Sequence, residues 1–407
     1  MAYGSRGPSA DAASGQPSAT EAGSAPDAPE DPTDGPGPDP AAGPGGSTGT
    51  DARARPPADF AVLVVGPTHG GGIVSYIAEQ TRRLEDRVDL TVHDSGAPPT
   101  GSGPVRVVQA LVLGVVALVR FALRSPPDLV HVHTSHRFSF YRKGLYVLFS
   151  RYVWDAPVVL HVHGSGFDEF VRTDSRPVAA YQRSVFDACD RIVVLSPSWK
   201  DVVATRADEG KIEVLPNAVD LDNYEADPTD DRAHVVFVSN LIERKGVADL
   251  AAAVEELDRR RPGEFRVSIA GDGPLSDVIE ELAAEHDAVT YHGYVSEERK
   301  QRLLAEGSIY VLPTYAEGLP IAMLEGMAAG NAVVSTAVAA IPEVVDEDRG
   351  ILVEPGDVEA LIDALKELVA DPDRRRRLAV NNRRAVEAEY SWERVTEELL
   401  DLYAEYA

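Results

Sequence analysis

SIYVLPTYAEGLPIAMLEG, residues 308–326, reads as a buried strand, a polar loop and the start of a helix. A short β-branched and aromatic run gives way to Pro and Thr, then to Gly-Leu-Pro, then to an apolar helix-forming stretch. Two carboxylates belong to this unit, Glu317 in the loop and Glu325 in the helix. Gly318 and Leu319 supply free backbone N–H groups beside them, because the first turn of a helix leaves its amides without intrahelical partners. Across a helix start this spacing aims both carboxylates toward one ligand. The apolar run that follows, with Ala328-Ala329-Gly330, argues for burial, where an unpaired carboxylate needs a partner. Compensation of the helix dipole by two acids is the alternative reading.

The same alternation extends in both directions. Strands are expected at 235–238, 265–270, 288–292, 308–312 and 332–335, with helices at 247–260, 275–286 and 297–306 between them. An earlier set, 60–65, 129–132, 158–162, 191–195 and 213–215, precedes an Asp, Pro and Thr-rich break at 225–231. β-branched runs alternating with amphipathic stretches specify parallel sheets with crossover helices. The fold expected is therefore α/β, with two Rossmann-like doubly wound domains facing across a cleft. The expected boundaries are a disordered Pro/Gly/Ala-rich tail over 1–57, an N-terminal domain over 58–228, a C-terminal domain over 229–385 and a final segment over 386–407. Doubly wound sheets bind ligands at the carboxyl ends of their strands, so function is sought there.

Four further strand ends carry chemistry. The first strand runs into GPTHGGG, residues 66–72, whose Gly71 and Gly72 expose backbone amides at a helix start, a phosphate cradle or else only a turn. VVLHVHG, residues 158–164, places His161 and His163 on one face of a strand, with His163 nearest the crevice, able to donate to a hydroxyl or steady a developing charge. His161 reads as a satisfied core residue. His131 and His133 form a similar pair, but no carboxylate stands at a familiar ligand spacing, so no metal site is expected. VSNLIERKG, residues 238–246, brings Asn240, Arg244 and Lys245 to a strand end. Adjacent cations in an acidic chain suit a diphosphate, with a surface charge pair as the alternative. Gly271 and Gly273, in the turn 270–274, border a nucleotide or simply turn the chain.

Composition narrows the classes. Over 407 residues the net charge is −27, which repels nucleic-acid phosphates and fits a halophilic surface. Cys189 is the sole cysteine, which excludes a disulfide framework and suits a reducing cytoplasm. The tail lacks the basic start and apolar core of a secretory signal. Residues 107–119 are apolar but short for a bilayer. A buried helix is expected there in preference to one lying at a membrane interface. Residues 101–200 nevertheless carry twelve Lys or Arg against seven Asp or Glu. Within them, RFSFYRK at 137–143 interleaves cations with aromatics, a pattern suited to anionic headgroups or to a solvated helix face.

These residues resemble the retaining glycosyltransferases of family four, of GT-B architecture. The likeness runs from about residue 60 to the end and is densest over 235–370, including NAVVST at 331–336, IPEVV at 341–345 and GILV at 350–353. It implies a hexosyl transfer from a nucleotide-diphosphate sugar to a glycan or lipid-linked acceptor, without metal or other cofactor. It assigns Glu317 to the donor sugar, Glu325 to the ribose, Gly71 and Gly72 to the glycine loop, His163 to the sugar and Lys245 to the diphosphate. It also implies a last helix, 392–406, that crosses back to the first domain. The family usually has Gly-Arg-Leu where this chain has Ser239-Asn240-Leu241, so the expected phosphate-binding arginine is replaced by Asn240, with Arg244 as the nearest substitute. The rival readings are a nucleotide-sugar epimerase of the same architecture and a glycan-binding relative without turnover. Residence in the cytoplasm, with peripheral contact at the membrane face, completes the expectation.

Overall fold

The computed structural model describes residues 55–68, 72–96, 104–225 and 232–407, with backbone alone at 104–108 and 110–111. The tail up to residue 54, Gly71 and most of the linker lie outside the described residues. The first lobe comprises β1 (Ala61–Gly66), α1 (Gly72–Leu84), β2 (Asp89–Asp94), α2 (Pro104–Ala122), β3 (Leu129–Thr134) and α3 (Phe138–Phe149). It continues through β4 (Val158–Val162), α4 (Phe167–Val171), α5 (Arg176–Ala188), β5 (Arg191–Val194), α6 (Pro197–Ala204) and β6 (Ile212–Val214). Its strands pair in parallel in the order β2-β1-β3-β4-β5-β6.

The second lobe repeats the plan with β7 (Ala233–Val238), α7 (Val247–Arg260), β8 (Phe265–Ala270), α8 (Ser276–Glu285), β9 (Val289–Tyr291) and α9 (Glu297–Ala305). Then follow β10 (Ile309–Leu312), α10 (Ile321–Ala328), β11 (Ala332–Thr336), α11 (Ile341–Val344), β12 (Gly350–Val353), α12 (Val358–Ala370) and α13 (Pro372–Glu389). Its order is β12-β11-β10-β7-β8-β9, again all parallel. Strands β3, β4, β7, β10 and β11 are buried along their whole length, as strands sheathed by helices on both faces must be, and this is why they read as mainly apolar, with the histidines of β3 and β4 the chief exceptions.

The last helix, α14 (Trp392–Ala404), packs on the first lobe. Trp392, Val395, Leu399, Leu400 and Tyr403 share one core with Phe60, Val62, Val64, Tyr76 and Leu84. The crossing is fixed by the Val219 amide donating to Tyr390 O (2.9 Å) and the Trp392 amide donating to Val219 O (3.2 Å).

The apolar run 107–119 is not a buried helix. Within α2 only Ala117 and Phe121 are buried among its described side chains, whereas Val112, Leu113, Val115, Val116 and Val119 stand exposed. Periodicity detects an apolar stretch but does not reveal what covers it. No helix among the described residues is long and apolar enough to cross a membrane.

Candidate active site

The two sheets present their carboxyl ends to each other, and the loops that leave them meet at a seam. A Cβ added at Gly318 would lie 3.2 Å from the backbone N of Gly164, so the loop after β10 and the loop after β4 touch through glycines. Side chains of the first lobe hold the other side of that loop. The Trp199 indole N–H donates to Gly318 O (3.3 Å), and the Asn217 amide donates to Leu319 O (2.6 Å). Ser196 Oγ donates to Glu343 Oε1 (2.9 Å), adding a third tie between the lobes.

Glu317 sits at this seam, buried. Its Oε1 accepts from Lys245 Nζ at 2.5 Å and from Thr314 Oγ1 at 3.1 Å, and the Arg244 guanidinium lies 3.5 Å away. Arg244 also donates to Ala316 O. The two cations reach it because Gly246, in the left-handed region at φ 69°, turns the chain hard against β10. Its missing Cβ would fall 1.8 Å from Pro313 O. One carboxylate compensated by two cations is a site that an anionic ligand can enter by taking over the cations.

Glu325, eight residues further on and also buried, accepts from Lys300 Nζ at 2.7 Å. Burial alone would push the Lys300 ammonium down, but the Glu325 and Glu297 carboxylates outweigh it and hold it above its ordinary range. Lys300 therefore stays cationic at neutral pH. A cavity of about 800 Å³ opens here, lined by Gly72, Tyr76, Asn240, Gly271, Tyr294 and Glu325 among others. That volume suits a mononucleotide-sized ligand. Gly72 approaches Ile321 of α10 across this cavity. Glu317, Lys245 and His163 are not part of its lining.

Gly271 and Gly273 answer to packing. With φ 146°, a Cβ at Gly271 would stand 1.8 Å from Ser239 O, and one at Gly273 2.3 Å from Leu241 O. The turn after β8 thus presses on the loop after β7, which positions Asn240 at the cavity. Gly271→Ala is expected to destabilise the protein by roughly 2–4 kcal/mol through strain and collision. An unchanged denaturant midpoint would overturn that account.

His163 is buried at the end of β4, and its Nε2 lies 2.9 Å from His133 Nδ1. It belongs to an array of four imidazoles on one face of the sheet, because His131 and His133 alternate on β3, His161 and His163 on and after β4, and His133 pairs with His161 in register. Tyr76 packs on His163 at 5.0 Å between ring centres, so His163 lies one ring behind the cavity wall. Burial holds His131 and His163 down to about 3 and pushes His133 and His161 well below the usual range, so all four are neutral at pH 7. His161 differs from the sequence expectation of a satisfied core residue. Neither of its ring nitrogens has a partner among the described residues.

Nitrogens of His131, His133 and His161 lie within 4.8 Å of one another. Yet His131 stacks on both others with interplanar angles of 15°. Nearly parallel rings direct their lone pairs side by side, which does not fit the convergent tetrahedral set a zinc ion demands.

The sequence reading assigns no role to Lys300, Asn217, Trp199 or Thr314. Their partners lie 25, 102, 119 and 3 residues away respectively, and only the last separation leaves a local signal, a Thr two residues past the strand.

Two lobes of this order, closing on buried carboxylate and lysine groups at a nucleotide-sized cavity, define the class of two-domain sugar-transferring enzymes, and comparison with known proteins agrees. Residues 70–223 match the family described as Glycosyltransferase Family 4, and residues 232–371 match Glycosyl transferases group 1. The chain belongs to the family-four, group 1 glycosyltransferases, and it is an enzyme of that kind. It is 28% identical over 385 residues to the alpha-maltose-1-phosphate synthase of Mycolicibacterium smegmatis, covering 82% of this chain and 95% of that one. The GDP-mannose-dependent alpha-(1-6)-phosphatidylinositol monomannoside mannosyltransferase of Mycobacterium tuberculosis is 29% identical over 249 residues, 55% of this chain and 64% of its own length. Among solved structures, sucrose-phosphate synthase of Thermosynechococcus elongatus superposes with a TM-score of 0.69 at 19% identity, covering 84% of this chain and 98% of that one. HepE of Anabaena, in complex with UDP and glucose, gives 0.65 at 14% identity, covering 84% and 99%. Both share the GT-B fold.

Proposed function

We propose that this enzyme moves a hexosyl group from a nucleotide-diphosphate sugar onto a glycan or lipid-linked acceptor with retention of anomeric configuration and without a metal ion. The observation that carries the reading is the Lys245–Glu317 contact at the seam where Gly318 meets Gly164. The diphosphate takes Lys245 and Arg244 from Glu317, and the freed carboxylate, with the Gly318 and Leu319 amides, turns to the sugar hydroxyls. Glu325 and Lys300 hold the ribose end, Asn240 and Gly271 border the nucleotide, and Gly72 at the start of α1 faces the phosphates. His163, neutral at working pH, reaches the sugar as a hydrogen-bond donor by exchanging its contact with His133 Nδ1, and not as an imidazolium. The bond from the anomeric carbon to the leaving diphosphate breaks, the acceptor oxygen bonds to that carbon on the same face, and the acceptor proton passes to the departing phosphate.

Supporting this reading over epimerisation or mere glycan binding are the family matches in both lobes and the compensated carboxylate, which binding alone does not require. A panel of nucleotide-diphosphate sugars, offered with a membrane-derived acceptor mixture, is expected to release free nucleotide and yield a product with the donor's anomeric configuration by NMR, unaffected by chelator. An epimer accumulating without acceptor, an inverted product, or inhibition by chelator would each overturn the corresponding part. The enzyme is proposed to work in the cytoplasm, peripherally at the inner membrane face.

A further inference from the structure

The exposed apolar face of α2 has a neighbour. α3 packs beside it and is followed by a π-helical turn, Ser150–Trp154, and together these three segments bury one side and leave the other bare. Phe121 of α2 contacts Tyr146, Phe149 and Trp154 at ring separations of 4.8, 5.8 and 4.4 Å, which fixes the segments as one block. On the outer side, Val112, Val115 and Val119 recur at helical spacing along α2 and Leu123 follows just past its end, with Val115 60% exposed. Phe138, Tyr141 and Leu145 do so along α3, and Tyr152 in the turn is 72% exposed. A soluble protein seldom leaves so many large apolar side chains adjacent on its surface without something to cover them.

Charge identifies the cover. Residues 104–155 contain seven Arg or Lys and two Asp, inside a chain of net charge −27. Arg120, Arg124 and Arg137 are exposed at the borders of the apolar face, and Arg142 stands over the Phe138 ring at 5.7 Å. The chain as a whole is acidic, and the arginines of α13 have no such apolar face beside them; here cations meet headgroups while valines and aromatics enter the acyl boundary. The α3 end of the face starts at Phe138, four residues past the carboxyl end of β3, on the same side of the sheet as the cleft.

We infer that the face formed by α2, α3 and the 150–154 turn docks this enzyme on an anionic lipid bilayer and holds the mouth of its cleft at the headgroups. The inference rests on the lipid-linked acceptor reading for its purpose, and its test is independent of turnover. Full-length protein is to be sedimented with vesicles of phosphatidylcholine alone and with vesicles containing phosphatidylglycerol. Binding is expected to the anionic vesicles and to be much weaker to the neutral ones. Val115→Asp/Val119→Asp and, separately, Arg120→Glu/Arg124→Glu are each expected to weaken vesicle binding by roughly tenfold or more while leaving the thermal midpoint and nucleotide-sugar binding unchanged. Equal binding of wild type and both variants would overturn the proposal. So would a wild-type dimer in analytical ultracentrifugation that Val115→Asp/Val119→Asp dissociates, since the face would then belong to a second copy. Loss of nucleotide-sugar binding in wild type with vesicle binding intact would refute the transferase reading and leave docking standing.

Discussion

Lys245→Ala is expected to lower the rate of transfer by about 10²–10³-fold, with most of the loss in kcat, because the cation acts on charge that develops as the diphosphate leaves. Glu317→Ala is expected to fall in the same range. The two groups touch at 2.5 Å and the ligand is proposed to exchange one contact for another, so they act as a unit. The double variant should therefore be little worse than either single, well short of the product of the two losses. Folding is preserved in Lys245→Ala because Arg244 remains 3.5 Å from the carboxylate. Circular dichroism and nucleotide titration check that the protein is intact. Unchanged turnover in both single variants would remove these residues from the chemistry.

Acid sensitivity is the second large effect. In the unfolded chain an imidazole titrates near its ordinary value, about 6.5, while in the folded protein burial holds His131 and His163 down to about 3 and His133 and His161 well below the ordinary range. A base whose folded pKa is depressed binds its proton preferentially in the unfolded state. Stability from these residues is therefore complete above about pH 6.5 and lost as the pH falls toward 3. His131 and His163 each remove about 2 kcal/mol by pH 5, and His133 and His161 steepen the decline in the same direction. Tyr76, Gln80 and Tyr403 face the array, and none supplies a carboxylate that would rescue an imidazolium. Denaturant melts between pH 7 and 5 should show this steep decline, and His161→Leu should reduce it by about one proton. A flat profile would mean that water reaches the array.

Much of the architecture is legible in the sequence because parallel strands buried on both faces must be continuous β-branched runs. β7, β10 and β11 are largely such runs, whereas β3, β4 and β8 set His, Arg or Ser among their apolar residues. β2 escapes that reading. It is an edge strand, DLTVHD, exposed on one side and flanked by acids, so nothing in its composition separates it from a loop. Within the site, Glu317 and Lys245 announce themselves by lying at strand ends, 72 residues apart in the chain. Asn217 and Trp199 do not, since their work is to grip backbone carbonyls of the other lobe, and a carbonyl leaves no trace in the sequence. The outward-facing valines of α2 fail for the opposite reason. Their pattern is indistinguishable from that of a core helix, and only the surrounding structure tells which side is wet.

Because α14 completes the first lobe, the order of synthesis and the order of completion differ. The ribosome finishes the strands of that lobe before residue 215, yet one flank of the sheet, around Phe60, Val62 and Val64, is covered only in part, by Tyr76 and Leu84 of α1, until Trp392 and Tyr403 emerge. Throughout translation of the second lobe the nascent chain carries a partly open apolar flank, so truncation of a dozen terminal residues would injure the half of the enzyme that was made first.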